Sequence, residues 1–474
     1  MLRQAQHERV CGRGIAFVLG LLVWFSCAWF GSWEGNPNHA TRLFAAISLV
    51  EDGDATIDEF APLTIDKAQF DGHFYLDKAP GMTLMALPAV ALANAWTGEQ
   101  SATVSKWPDD PGMARFLRLR LRLAVAIGPA VLTGIAAALL FQLALGLTGS
   151  AGGALAAALA FALGSPVWGW STTLFGHAPV AALYVIALWA LWRANGPGLM
   201  ALAGAALGWA VVIEYQAVLA GSVLALFGAW RVWARPDRWR LLGAAVAGGV
   251  VALLPLFAYN LVAFGTLWKL GYQGVVGFEG MNQGLFGLGW PRPVVLWEIT
   301  FGTMRGLIWV APVLLLAVLG VAQLPKAIGR AIAIAATIVL LVNAAYFYWD
   351  GGNSTGPRHA TPAIGLLALG LAPFWVGLSR TGRIAAGALL VLSIGINLVI
   401  AACDIFAPPT DPWPLRWVVT QHLGLGDITS VAGDYLGWTE WTGLLVWAAV
   451  ALPTLAWLAR AARLHRAGPQ VSLL

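Results

Sequence analysis

Charge is scarce in this 474-residue chain: Asp, Glu, Lys and Arg make up 11% of it, against 59% apolar residues and a mean hydropathy of +0.73. That scarcity excludes an ordinary soluble domain, whose polar shell needs roughly a quarter of its residues charged. The chain reads as an all-α polytopic membrane protein. Cysteine is scarcer still, with Cys11 in the basic N-terminal tail, Cys27 within an apolar run and Cys403 at the end of another. They lie too far apart in membrane depth to pair, which excludes a disulfide framework and a cysteine metal cluster. The 28 Lys and Arg give a net charge of +5, yet they are scattered between apolar runs rather than gathered with aromatics. Nucleic acid is therefore excluded as a partner.

What is abundant is apolar sequence in long runs. About twelve approach the roughly 20 residues needed to cross a bilayer as a helix. They fall near 14–33, 121–146, 151–170, 176–192, 199–213, 216–233, 241–263, 306–324, 328–348, 360–378, 383–402 and 441–459. The first run lacks a small-x-small cleavage site and is read as a span rather than a signal peptide. Basic residues set the orientation. Arg3, Arg9 and Arg13, RVWARPDRWR at 231–240, PKAIGR at 325–330, SRTGR at 379–383 and RAARLHR at 460–466 are assigned to the cytoplasm. If GMTLMALPAVALANAWTG at 81–98 crossed fully, the downstream basic loops would flip to the other side. It is read instead as an interfacial or re-entrant helix. The chain is then one integral-membrane domain, 1–474, with a long external first loop, 34–120, and further external loops at 264–305 and 403–440.

This topology puts most of the polar passages on one side: GHFYLDKAPG at 72–81, FGH ending at His177, the Glu214-Tyr215 link and YWDGGNSTGPRH ending at His359. Each has an ordinary explanation as an interface belt, a turn or a solvated charge, but their convergence on one face points to a site. Mid-span positions are nearly free of charge, with Glu214 and Asn343 the main polar residues in or near spans. No internal repeat is evident. Both observations count against a transporter with a midplane site.

WEGNPNHATRLFAAISLVEDGDATID followed by TIDKAQFDGHFYLDKAPGMTLMALP resembles the first-loop pattern of GT-C glycosyltransferases that use polyprenyl-phosphate sugars, a class including protein mannosyltransferases and lipid A aminoarabinose transferases. Arg42 and Lys78 match that pattern's basic positions. The sequence departs from it where relatives commonly carry an acid just before the arginine, having Asn36, Asn38 and His39, and in its single proline at DKAPG. The resemblance implies an inverting transferase in a bacterial inner membrane, its active face outward, with a polyprenyl-phosphate sugar donor and a glycan, lipid or protein acceptor. No cofactor is expected and no divalent metal is indicated. The other functional class is a lipid or polysaccharide transporter, or a non-catalytic assembly protein, that uses the same external cleft for binding.

Such chemistry needs a base for the acceptor hydroxyl, cations for the departing phosphate and polar or aromatic groups for the sugar. Asp66, then Glu34, then Asp77 are the candidate bases, although Asp66 also reads as a helix N-cap and Asp77 as the partner that orients Lys78. Asp71-Gly72 reads as a turn. Lys78, Arg42 and Arg358 are the candidate phosphate partners; His73, Tyr75, His177, Asp350 and His359 are the candidate substrate contacts. In RFLRLRLR, Arg115, Arg118 and Arg122 share a helix face and are expected to snorkel at the interface, the sharper alternative being a second phosphate-binding stripe. The topology makes a direct prediction. Cysteines introduced near 105 and 270 will react with an impermeant reagent from outside, and those near 235 and 380 only after permeabilisation.

Overall fold

The computed structural model describes residues 2–31, 33, 35–107 and 110–465, with side chains from Gly12 onward. Glu34, one candidate base, and Arg466 lie outside the described residues. Helix α1 (Leu2–Trp29) leads into the first loop, where Asn36 caps α2 (Pro37–Glu51) by accepting from the Asn38 amide at 3.0 Å. Pro37 at the first helical position suits the fixed φ of proline. A short antiparallel hairpin follows, β1 (Ala68–Phe70) and β2 (His73–Tyr75), in the register Ala68 with Tyr75 and Phe70 with His73. Asp71 and Gly72 turn it with φ of +53° and +89°, as a two-residue hairpin with positive φ at both centres requires. Asp66 therefore precedes a strand and caps no helix, because the hairpin claims the residues that would have formed one. Pro80 then starts α3 (Gly81–Thr97).

The bundle proper runs through α4 (Pro111–Ile127), α5 (Pro129–Thr148), α6 (Ala151–Ala162), α7 (Val167–Trp170), α8 (His177–Arg193), α9 (Pro197–Ile213), α10 (Ala217–Val232) and α11 (Arg238–Phe264). Beyond a long loop come α12 (Pro293–Thr300), α13 (Leu307–Val310), α14 (Leu314–Val321) and α15 (Lys326–Ala345). The chain continues through α16 (Ile364–Ala368), α17 (Leu371–Gly377), α18 (Arg380–Ala402), α19 (Pro414–Trp417), α20 (Val431–Leu436) and α21 (Glu440–Leu464). It is an all-helical integral membrane protein.

Among the described residues six helical segments are long and apolar enough to cross a membrane, or seven if the pair Arg358–Ala368 and Leu371–Gly377, bent by 45°, is one span. That is fewer than the twelve runs expected. The missing ones are present but shorter: α6, α8, α9 and α10 are apolar helices of 12 to 17 residues. Run 306–324 is split into α13 and α14 around Pro312, where a helix loses a backbone donor.

Helix α5 packs on α1, α6 and α8; α8 packs on α9, and α9 on α11. The last contact is backbone to backbone. A side chain at Gly204 would meet the Ala245 carbonyl, and one at Gly248 the Ala201 carbonyl, which is the use membrane helices make of small residues. The opposite face of α11 exposes Val246, Val250, Val251 and Leu254, as a lipid-facing surface would.

The arginine stripe on α4 behaves differently from expectation. Arg122 is buried and donates to Asp434 of α20, with Arg118 3.9 Å from the same carboxylate. Arg120 lies over Phe116 at 3.3 Å and donates to Asn94 and to the Glu99 carbonyl. These arginines brace α4 against α20 and α3 because acceptors on those elements meet them; Arg115 is exposed. Gly204→Val is predicted to destabilise the protein by about 1–3 kcal/mol through overpacking, read as a lowered thermal midpoint in detergent.

Candidate functional site

A cavity of about 510 Å³ opens where α2, the stretch before α3, and one end each of α8, α9, α10 and α15 meet the YWDGGNSTGPRH loop. Two glycines let these pieces approach. A side chain at Gly81 would come 2.7 Å from the Ile213 backbone, so α3 begins directly on the end of α9. One at Gly176 would strike the Glu214 carboxylate, so α8 begins against the residue that ends α9. Glu214 terminates α9 by turning extended, at φ −146° and ψ 114°, and its side chain enters the cavity wall.

Six ionisable side chains of opposite sign meet there. Lys78 Nζ pairs with Asp77 and lies 3.3 Å from Asp66 Oδ2. Burial pushes the Asp77 carboxyl above the usual aspartate range against the opposing pull of Lys78. Burial would lower Lys78, but Asp66 and Asp77 outweigh it and its ammonium is held more tightly than usual. Arg42 donates to the Asn38 carbonyl at 2.8 Å and to the Asn38 side chain, and its Nη2 is 3.5 Å from Glu214 Oε1. Arg358 has no ion pair and no hydrogen bond among the described residues; its guanidinium lies over Phe175 at 5.0 Å, with Arg42 5.7 Å from the same ring. His177 and His359 meet edge to face at 4.9 Å, and Tyr346 packs on His359 at 5.2 Å. Arg42 Nε, Arg358 Nε, Asp77 Oδ1 and His359 Nε2 are buried with no partner among the described residues. Buried polar atoms left unpaired are costly, and a partner such as water, an ion or a ligand offsets that cost.

The structure thus brings together Asp66, Asp77, Lys78, Arg42, Arg358, His177 and His359 from four separate stretches of sequence. It leaves out three others. His73 is exposed on the hairpin and pairs with Asp58 at 2.6 Å, which raises its pKa. Tyr75 packs on Phe70 and Phe264, away from the cavity. Asp350 contributes a backbone carbonyl that accepts from the buried Arg305 at 2.6 Å, which fixes the loop but faces no cavity. The site contacts that sequence reasoning missed are Phe175, beneath both arginines, and Tyr215, Tyr272, Tyr346 and Tyr348 in the wall. Glu214 was visible as a charge at a helix end; its pairing with Arg42 was not. Among the described residues no three His, Cys, Asp or Glu side chains are grouped to hold a metal ion.

No family model and no curated protein sequence matches the chain. In overall structure it is similar to ArnT from Cupriavidus metallidurans bound to undecaprenyl phosphate, at 16% identity and a TM-score of 0.47 over 95% of this chain and 75% of that one. The apo state of that protein gives 16% identity and a TM-score of 0.44, over 94% and 74%. The Archaeoglobus fulgidus oligosaccharyltransferase in its apo form gives 12% and 0.44, over 96% of this chain and 56% of that one.

The charge cluster predicts its own energetics. Lys78→Met leaves Asp66 and Asp77 buried without their cation and is expected to cost about 3–5 kcal/mol of stability. Adding Asp77→Asn should recover part of that loss in chemical unfolding of the detergent-solubilised protein.

Proposed function

We propose that this chain is an integral-membrane glycosyltransferase that moves a sugar from a polyprenyl-phosphate donor to an acceptor hydroxyl on the outer face of the membrane. The observation that carries the reading is Arg358: a cation in the cavity wall with no ion pair among the described residues, sharing the ring of Phe175 with Arg42 in a cavity that Lys78 also lines. A buried guanidinium that forms no ion pair suits a ligand that brings its own negative charge, and guanidinium forks suit phosphate oxygens.

The remainder of the cavity fits the rest of such a donor. Val218 and Leu219 of α10 and Ile338, Val339 and Val342 of α15 form an apolar wall along which a prenyl chain exchanges water for hydrocarbon. Tyr215, Tyr272, Tyr346 and Tyr348 offer rings and hydroxyls to a sugar at the polar end. As the bond from the anomeric carbon to the phosphate breaks, the leaving oxygen gains negative charge. Arg358 and Lys78 stabilise that charge from the cavity wall. Attack from the opposite side of the sugar inverts the anomeric centre. First-loop residues Asn36, Asn38, Asp66 and Lys78 line the cavity, and that loop is external on the positive-inside assignment.

The test uses purified protein in nanodiscs with undecaprenyl phosphate, the lipid bound in the similar ArnT structure, as the binding probe. A panel of undecaprenyl-phosphate monosaccharides with total membrane lipid as acceptor serves as the rate probe. The expected result is binding together with release of undecaprenyl phosphate from at least one donor; binding without release from any of them leaves a carrier or assembly protein. Arg358→Ala and Lys78→Ala are each predicted to weaken undecaprenyl phosphate binding at least tenfold, about 1.4 kcal/mol. Lys78→Arg should retain part of the affinity, because a planar fork replaces a compact charge.

A further inference from the structure

Three carboxylates line the cavity, and they are not equivalent. Asp66 and Asp77 both face Lys78, so their charge is already committed to holding that cation. Glu214 is held loosely, by Arg42 at 3.5 Å on Oε1 and by the Gln216 side-chain amide at 3.3 Å on Oε2. The first turn of α2, where Arg42 is anchored, turns the amides Asn36 and Asn38 to the cavity, while His39 is absent from the lining and meets the Trp33 carbonyl instead. An amide oxygen cannot take a proton from a hydroxyl at neutral pH.

We infer that Glu214 is the general base of the transfer proposed above, reaching the reacting centre from the break between α9 and α10 while Asp66 and Asp77 act as positioning residues for Lys78. Its site is made by Gly176, which leaves no side chain between α8 and the carboxylate, and by Gly81, which seats the Lys78 segment on the end of α9. The acceptor O–H bond breaks and its proton passes to Glu214. The acceptor oxygen bonds to the anomeric carbon as that carbon's bond to the phosphate oxygen breaks, and the electron pair leaves with the polyprenyl phosphate beside Arg358 and Lys78. The charged and titratable groups facing Glu214 are Arg42, Lys78, Arg358, Tyr215, Tyr272 and Tyr346. Burial lifts its carboxyl above the ordinary glutamate range while the three cations pull it back, which brings a glutamate toward the range useful for base catalysis.

The inference rests on the transfer reading, and the experiment separates the two. Glu214→Gln keeps the shape and an acceptor for Arg42. With a donor that the wild type accepts, it should cut undecaprenyl phosphate release by at least about a hundredfold and leave undecaprenyl phosphate binding unchanged or tighter. Glu214→Asp should restore part of the rate. In the wild type kcat/KM rises with pH as Glu214 loses its proton, and that acid limb should vanish in Glu214→Gln. Near-wild-type release by Glu214→Gln, a parallel loss of lipid binding, or an acid limb that survives in it and disappears in His359→Gln would each overturn the assignment. A wild type that binds undecaprenyl phosphate but releases it from no donor overturns the transfer reading and this inference with it.

Discussion

Lys78, held between Asp66 and Asp77, is the constraint around which the first loop is organised. Taking a charge out of water costs several kcal/mol per ion, and the interaction recovers that cost only when the geometry is held closely. The surrounding structure supplies the hold. The hairpin β1–β2 leads Asp66 and Asp77 back toward each other, and Gly81 lets α3 start against the end of α9. Loop and bundle are therefore one packed unit at this site, and the residues that end α9 share a cavity with residues well over a hundred positions earlier.

The cavity joins two solvents. One wall is aliphatic, along α10 and α15; the other carries three cations and three carboxylates. Their distribution matters more than their sum. Lys78 has two carboxylates close by, Arg42 has one at long range, and Arg358 has none among the described residues. Positive potential is thus concentrated at the Arg42–Phe175–Arg358 corner, with negative charge beside it at Glu214. The aromatic ring shared by the two arginines holds Arg358 by its π face rather than by a carboxylate, which leaves its charge for an anion.

Much of the site was legible in the sequence, for a specific reason. In so apolar a chain every charge near a span end is conspicuous, and Arg42, Lys78, Arg358, Asp66 and Asp77 stand out on that ground alone. The residues that stay outside the cavity follow a different logic. His73 and Tyr75 are near Lys78 in sequence, but both lie on β2, where His73 pairs with Asp58 and Tyr75 packs on Phe70 and Phe264, so proximity along the chain does not become a place in the cavity. Asp350 sits in the right loop and uses its backbone, not its carboxylate. The stripe Arg118–Arg122 matched the pattern of interfacial arginines, yet its partner Asp434 lies over three hundred residues away. No local pattern announces such a partner.

Hydropathy is a property of each residue summed over a window, so the apolar runs by themselves determined an all-helical membrane protein. The Asn36-Pro37 and Asp110-Pro111 helix starts and the Asp71-Gly72 turn were likewise local and needed only their own neighbours. Which runs reach crossing length was decided by helix breaks such as the one at Glu214 and by the bend between α16 and its neighbour α17. Which charges pair, and which are left to meet a ligand, only the tertiary structure decided. Arg42 and Glu214 are 172 residues apart and come within 3.5 Å only because two glycines remove the side chains that would hold α3, α8 and α9 apart.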